Sequence, residues 1–518
     1  MSYGERTPLS TREGTSCALG IDIGSSNVKV SLIVIDSTGA VRELVVRSSP
    51  TPDDAAELVA STMTLIRNVL SATRVTPAVI GIASMAETGV ALGGDGEALT
   101  PLIRWNGVRD SFDADSLAGR YGAEALFSAT GVRPGPKVPL TMWAGLRRTR
   151  PDLWRAMARW SGIADLITLA LTGELVTDHT LAGRTMAYRL PPHGSDLERE
   201  FDPDLLAVVG LRPEQLPRIA LPGEIAGTVA AHAAEKTGLV AGVPVIVAGH
   251  DHAAGAWASG VRRPAEVADS IGTTEALLHI LAGSADRSAV SASGMSLART
   301  VTGEQEVLVA GSASAGSLIS WWLAELKAPD PAGLLVAADA LGPQPTGLLI
   351  LPYLRGRQTP EPDPAARLRI LDRAGRLLQI GSHEPAELTR ALLEGLALQL
   401  RWMDAEQRRL AGEQRSSSPI TVLGASGIAG WIGVKASVMP SALSSVTVAE
   451  PVASGAALLA AVRIGLAADT VALPRRAVPA EPGGSLYDAV YADFVAAATN
   501  TGLFAVPNGT TVPSQGEK

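Results

Sequence analysis

One short phrase occurs twice in this chain, as Asp22-Ile23-Gly24-Ser25-Ser26 and as Ser270-Ile271-Gly272-Thr273-Thr274, each set between apolar runs that alternate or continue as strands do. A strand, a glycine that lets the backbone approach an anion, and hydroxyl side chains at the turn make a cradle of amide donors and oxygen ligands for phosphate. Taken singly, either phrase also reads as an ordinary tight turn, because Asp and Gly suit turns. As a pair, two cradles facing each other would grip a polyphosphate from both sides. Only the first carries a carboxylate, Asp22, the hard anionic oxygen that Mg²⁺ or its water shell needs; Ser270 stands at that place in the second. Asp251 lies 19 residues before Ser270, inside Gly249-His250-Asp251-His252.

The chain's 518 residues exceed what one core usually serves, so two large domains are expected. A net charge of -8 argues against a nucleic-acid partner and against an anionic membrane surface. A single cysteine, Cys17, excludes an internal disulfide framework and a cysteine-based metal cluster, and fits a reducing cytoplasm. The most apolar region, 436–462, is broken by Pro440, Glu450 and Pro451, so no membrane span is expected.

From 18 to 46 the pattern is strand, turn, strand, turn, strand, with Asp36-Ser37-Thr38-Gly39 as the second turn. A helix over 53–71 and a strand over 78–83 follow. That order, βββαβ, predicts an α/β chain with the two-lobed actin-like ATPase (ribonuclease H-like) fold and a cleft between the lobes. The stretch 110–171 reads as mostly helical, and the Pro-rich 191–222 as surface connection. A strand over 243–248 delivers Asp251 at its C-terminal end. Beyond it the plan repeats: strands over 267–280, a long helix over 384–410, and a strand over 420–423 that runs into Gly424-Ala425-Ser426-Gly427. The expected division is a disordered lead-in (1–16), an N-terminal actin-like lobe (17–262), a C-terminal actin-like lobe (263–502) and a flexible tail (503–518).

Several blocks in this order resemble the FGGY carbohydrate kinase family, most of all its xylulokinase and glycerol kinase branches. They are LGIDIGSSNVKV, GIASMAETGV, IRWNGVRD, AGHDHAAGAWASGV, DSIGTTEALL and VLGASGIAGWIGVKASV with GAALLAA after it. The resemblance implies ATP and Mg²⁺ as cofactors, a small-molecule sugar or polyol as acceptor, and often a homodimer, although no interface is legible in the residues.

Carried over residue by residue, the resemblance makes Asp251 the general base, Asp22 the metal-organising carboxylate, and Gly24, Ser25, Ser26, Gly272, Thr273 and Thr274 the phosphate contacts. Asp251 also suits a plain helix cap. Lys29 matches a basic position of the family and equally suits a solvated strand edge. Gly424, Ala425 and Ser426 fall where the family sets a glycine run against adenosine. Glu87 aligns with an acidic residue that binds polyol hydroxyls, but Met85 and Ala86 stand where Gln and Arg are usual. Trp105 and Asn106 match the family's sugar-contacting pair, with Gly107 in place of the following Asp, and a buried core Trp is the plainer reading of the indole. His252 replaces an Asn or Gln beside the base and is placed to donate to a sugar oxygen. The activity so implied is ATP-dependent phosphorylation of a sugar or polyol hydroxyl, with a ketopentose such as xylulose first. A tetritol, aldonate or deoxy-ketose acceptor, or a non-catalytic sugar or nucleotide sensor, are the alternatives.

Overall fold

The computed structural model describes residues 15–107, 109–413, 419–424, 430–479 and 486–499. It contains two twisted sheets built on one plan. In the first, an antiparallel meander of β1 (Ser16–Ile23), β2 (Asn27–Ile35) and β3 (Val41–Pro50) is extended by β4 (Val79–Ser84), β5 (Gly227–Thr228) and β6 (Pro244–His250), in the order β3-β2-β1-β4-β6-β5. β1, β4 and β6 run parallel. The second sheet comprises β7 (Val267–Ile271), β8 (Glu275–Ile280), β9 (Ser296–Arg299), β10 (Glu306–Ser312), β11 (Ile420–Leu423), β12 (Leu443–Val446) and β13 (Arg475–Val478), in the order β9-β10-β8-β7-β11-β12-β13. Here β7, β11 and β12 form the parallel centre. Each glycine phrase is the hairpin between the first two strands of its sheet, β1 to β2 and β7 to β8.

The parallel strands are buried on both faces, which is why they read as continuous apolar runs. Helix α1 (Ala55–Thr73) covers the outer face of the first sheet with Leu58, Met63, Leu65 and Ile66. Asp54 caps it, accepting from the Glu57 N–H, and Arg74 ends it in the left-handed region. On the inner side lie two helices rich in small residues, α2 (Asp251–Ala258) and, later in the chain, α5 (Pro451–Arg463). The long α3 (Pro385–Ala411) covers the second sheet's outer face, with α4 (Trp431–Val438) beside it.

α5 sits directly on the strands. A Cβ built on Gly20 would lie 1.8 Å from the Ala453 carbonyl oxygen, and one on Gly81 would lie 1.9 Å from that of Ala456. On its other side α5 meets α2, where a Cβ on Gly455 would stand 2.8 Å from that of Ala258. The resulting apolar layer draws on both sheets: Ala18, Ile246, Trp257, Ala268, Leu278, Leu458 and Leu459 share one buried cluster.

Two expectations need correction. The stretch 191–222 is not mere surface connection. Phe201, Leu205, Leu206, Val209, Leu211, Leu216 and Ile219 are buried in a small core with Trp143 and Trp160, because its prolines open short helices rather than holding an extended loop. Ser16, assigned to the lead-in, is the first residue of β1. Residues 1–14 of that lead-in, the tail from 500 onward, Ala425 and Ser426 lie outside the described residues. Among the described residues no helix is long and apolar enough to cross a membrane.

Beneath the second glycine hairpin lies a fully buried charge cluster. Lys435, on α4, donates to Asp269 Oδ2 at 2.6 Å and to Glu275 Oε1, the two acids flanking the hairpin. Burial pushes the Glu275 carboxyl up; burial alone would lower Lys435, but the two acids outweigh it and hold the ammonium charged. Removing the cation strands the acids in a dry site. Lys435→Met is therefore expected to lower unfolding free energy by about 3–5 kcal/mol, and adding Asp269→Asn with Glu275→Gln to restore part of it; equilibrium urea unfolding reads both. In the same assay Gly81→Ala is expected to cost about 1–3 kcal/mol by overpacking. Gly94→Ala, where an added Cβ meets nothing within 4 Å, should stay within about 0.5 kcal/mol.

Candidate active site between the sheets

The two glycine hairpins meet. Ser26 Oγ and Thr273 Oγ1 are 2.9 Å apart across the mouth of a cavity of about 910 Å³ that both hairpins line. Local bonds set each loop. In the first, the Gly24 N–H donates to Asn27 O at 3.0 Å, and Thr51 returns its hydroxyl to Gly24 O at 2.8 Å. Arg104, from the IRWNG block, donates to Ser25 O at 2.7 Å and to Thr51 O at 2.8 Å, so the block expected at the sugar site also braces the first loop. In the second, the Gly272 N–H donates to Thr274 O, while the N–H groups of Gly316 and Ser317 donate to Gly272 O and Thr273 O. Gly424 closes onto the base of that loop. Its φ is +96°, and a Cβ there would lie 2.0 Å from Ile271 O, so only glycine fits.

Asp22, at the C-terminal end of β1, is buried, and its Oδ1 has no hydrogen-bond partner. Burial pushes its carboxyl up to about 7. Lys29 pulls the other way, and Asp251 and Glu450 push further up. An orphaned, hard anionic oxygen in a field of neighbouring carboxylates is a donor that fits a divalent cation with oxygen preference. Lys29 is not a solvated edge charge: its Nζ lies 2.8 Å from Glu450 Oε2 and 3.8 Å from Asp22 Oδ2.

Asp251 opens α2 directly off β6, so the turn from strand to helix aims its carboxylate into the cavity. Its Oδ1 accepts from the His252 N–H at 2.7 Å and stands 3.2 Å from His250 Nε2. Burial takes the His250 imidazole down to about 4 in spite of that carboxylate, which leaves the ring neutral near pH 7. His252 lines the cavity, with Nδ1 bonded to Ser270 Oγ at 2.8 Å, a contact from the first lobe to the second.

Met85, Glu87 and Trp105 line the deeper end of the cavity. Glu87 has a φ of +61°, a conformation that costs a non-glycine residue about 1–3 kcal/mol. Two cations hold it: Arg184 donates to Oε1 at 2.6 Å, and Lys137 Nζ lies 3.2 Å from Oε2. Burial alone would raise the Glu87 carboxyl, but Lys137 and Arg184 outweigh it and hold it at about 2. The Trp105 ring has Lys137 Nζ 5.8 Å from its centroid, and the Trp105 backbone N–H donates to Thr88 Oγ1 at 3.1 Å. Asn106 departs from expectation. It is exposed and does not line the cavity, because the turn closed by the Gly107 N–H on Arg104 O carries it outward.

The sequence reading missed Arg133, Lys137, Arg184 and Glu450, all in the cavity wall. None of the first three falls in a block that carries the family resemblance. Their signal is spatial, the gathering of cations around Glu87.

The profile of the N-terminal domain of the FGGY family of carbohydrate kinases matches residues 17–258, and that of the C-terminal domain matches 267–464. The chain is 26% identical to the xylulose kinase of Escherichia coli K12 over 395 residues, which is 74% of this chain and 77% of that protein. It is 30% identical to the L-fuculokinase of the same strain over 199 residues, 38% of this chain and 41% of that protein. The xylulose kinase structure from Rhodospirillum rubrum superposes with a TM-score of 0.76 at 25% identity, covering 93% of this chain and 98% of that one. The gluconate kinase structure from Lactobacillus acidophilus shares the fold, with a TM-score of 0.77 at 20% identity over 94% of this chain and 99% of that one. The chain belongs to the FGGY family of carbohydrate kinases and is an ATP-dependent carbohydrate kinase of the two-lobed actin-like fold.

Proposed function

We propose that this kinase phosphorylates a hydroxyl of a small ketopentose such as xylulose, with Asp251 as the general base. The observation that supports this reading is that one cavity holds the Asp251 carboxylate, both glycine hairpins and the Glu87 pocket. In that arrangement an acceptor bound against Glu87 and Trp105 presents its hydroxyl to Asp251. The acceptor oxygen gives its proton to that carboxylate as it bonds to the γ-phosphorus of ATP, and the bond from that phosphorus to the β–γ bridging oxygen breaks to release ADP. The backbone amides and hydroxyls of Gly24, Ser25, Ser26, Gly272, Thr273 and Thr274 hold the phosphate oxygens, and Lys29 adds a cation. Asp22 would hold the Mg²⁺ that travels with ATP, which supplies charge neutralisation of the transferring phosphoryl group. Gly424 lies on the adenosine side. Neutral His250 packs beside the base without competing for its negative charge. Likeness to xylulose kinases of Escherichia coli and Bacillus subtilis, the latter 24% identical over 86% of this chain, supports the ketopentose. The lone cysteine, buried in β1, fits action in a reducing cytoplasm.

A second reading, an aldonate acceptor, is favoured by the charge of the pocket. Arg133, Lys137 and Arg184 all line the cavity, the last two paired with Glu87, and Arg133, which is exposed, has no ion-pair partner among the described residues. A free guanidinium there matches a carboxylate on the acceptor.

Asp251→Asn is expected to leave ATP affinity nearly unchanged and to cut kcat by about 10²–10⁴-fold or more, as read by calorimetry and a coupled ADP assay; near-normal turnover would remove Asp251 as base. A panel of ketopentoses, tetritols, deoxy-ketoses and aldonates then separates the acceptors. Arg133→Gln should lower kcat/KM by about 10–100-fold for an aldonate, the worth of one hydrogen bond to a charged group, and leave a neutral ketopentose nearly unaffected. Ligand-induced melting shifts with no ADP from any acceptor would point instead to a sensor.

A further inference from the structure

The Asp251 carboxylate has an imidazole on either side, in sequence and in space. His250 ends β6 and His252 is the second residue of α2, so the strand-to-helix turn directs all three side chains to the same wall of the cavity. His250 Nε2 lies 3.2 Å and His252 Nε2 3.9 Å from the same oxygen, Asp251 Oδ1. The two rings stand edge to face, with centroids 5.3 Å apart. One ligand atom from each residue falls within 4.8 Å of the other two. Around a tetrahedral ion with bonds of about 2.0–2.2 Å, neighbouring ligand atoms sit about 3.3–3.6 Å apart, so small side-chain rotations close the set.

The ring of His252 is also oriented from behind. Its Nδ1 is tied to Ser270 Oγ at 2.8 Å, which leaves Nε2 on the Asp251 side. A ligating histidine is commonly fixed in this way through its second nitrogen. Two imidazole nitrogens and one carboxylate oxygen, with no thiolate, suit zinc, cobalt and nickel and discriminate against Mg²⁺, which demands oxygen ligands. The set is separate from Asp22, whose orphaned oxygen fits the harder ion.

We propose that His250, Asp251 and His252 form a three-ligand site for a divalent transition-metal ion of the zinc class, and that an ion bound there occupies the base carboxylate and stops phosphoryl transfer. The first half stands on the geometry alone. The second rests on the reading of Asp251 as the base.

The test uses full-length, metal-stripped protein without nucleotide, titrated with CoCl₂ in excess Mg²⁺. The expected result is a saturable visible d–d spectrum at one Co²⁺ per chain, bleached by Zn²⁺ and undiminished by Mg²⁺. The His250→Ala/His252→Ala double variant should weaken binding at least about tenfold. Absence of a saturable spectrum, or an identical titration in the double variant, overturns the site. Should that variant not fold, X-ray absorption of the zinc-loaded wild type decides. Scattering from two imidazoles supports the site, and its absence overturns it. In a coupled assay at saturating Mg-ATP, Zn²⁺ at the occupancy found by titration should abolish turnover; unimpaired turnover with the site full overturns the inhibitory half. A silent Co²⁺ titration leaves the kinase reading intact, and a chain inactive on every acceptor leaves the spectroscopic result intact, so the two failures are distinguishable.

Discussion

The contact on which the remaining geometry depends is the seating of α5 against β1 and β4. Helix backbone meets strand backbone there, and the contact exists only because Gly20 and Gly81 carry no side chain. Its consequences run outward in both directions. The same helix packs through Gly455 on α2, the helix that Asp251 opens, and begins at Glu450, the partner of Lys29. Glu43, on β3, accepts from the N–H groups of Ala449 and Glu450 and from the Ser454 hydroxyl, satisfying donors at the helix start that would otherwise be orphaned. A helix from late in the chain is thereby fastened to its first sheet. The two glycine hairpins, separated by some 250 residues, end up 2.9 Å apart at their tips as a result.

Charge in the cleft is arranged in pairs that each leave one group to act. Glu87 is held by Arg184 and Lys137, which keep its carboxylate ionised despite burial. Lys29 is shared between Glu450 and Asp22, which leaves one oxygen of Asp22 without a partner. Lys435 answers the acids on either side of the second hairpin from beneath. Such a buried triad contributes less to stability than its short contacts suggest, since desolvation of three ions offsets much of the attraction. Its effect is positional: it links α4, next to the Gly424 run, to the strands that carry the second glycine hairpin.

Local pattern made much of this legible. The βββαβ order, the paired hairpins and Asp251 at a strand end have local signatures, and these strands and helices fall within a few residues of where the pattern places them. Of the Gly424-Ala425-Ser426 run only Gly424 is described, packed on the base of the second hairpin. What escaped has no local signature. Lys137 and Arg184 lie 50 and 97 positions from Glu87, and only the fold makes them its partners. The stretch 191–222 looked like connection because proline density was read as extended chain, although Leu205, Leu206 and Val209 already alternate at helical spacing. Asn106 was placed by its neighbour Trp105, but a tight turn sends adjacent side chains in different directions.

The cleft as it stands is shut at its mouth, and the kinds of contact on either side of it dictate how it must open. At the mouth the two halves touch through polar pairs: Ser26 with Thr273 and His252 with Ser270. A net hydrogen bond is worth about 0.5–1.5 kcal/mol, and water replaces much of that when the pair separates. At the root the halves share the apolar layer of α2 and α5, where exposing one leucine such as Leu458 costs about 1.5–3 kcal/mol. Separation of the hairpins would therefore pivot about the root, in the manner of a hinge, and leave α5 undisturbed. Opening breaks the His252–Ser270 bond, because Ser270 belongs to the second sheet and Asp251 to the first lobe. With the halves apart, His252 would lose its Ser270 partner, so the surroundings of Asp251 would differ between the open and closed cleft.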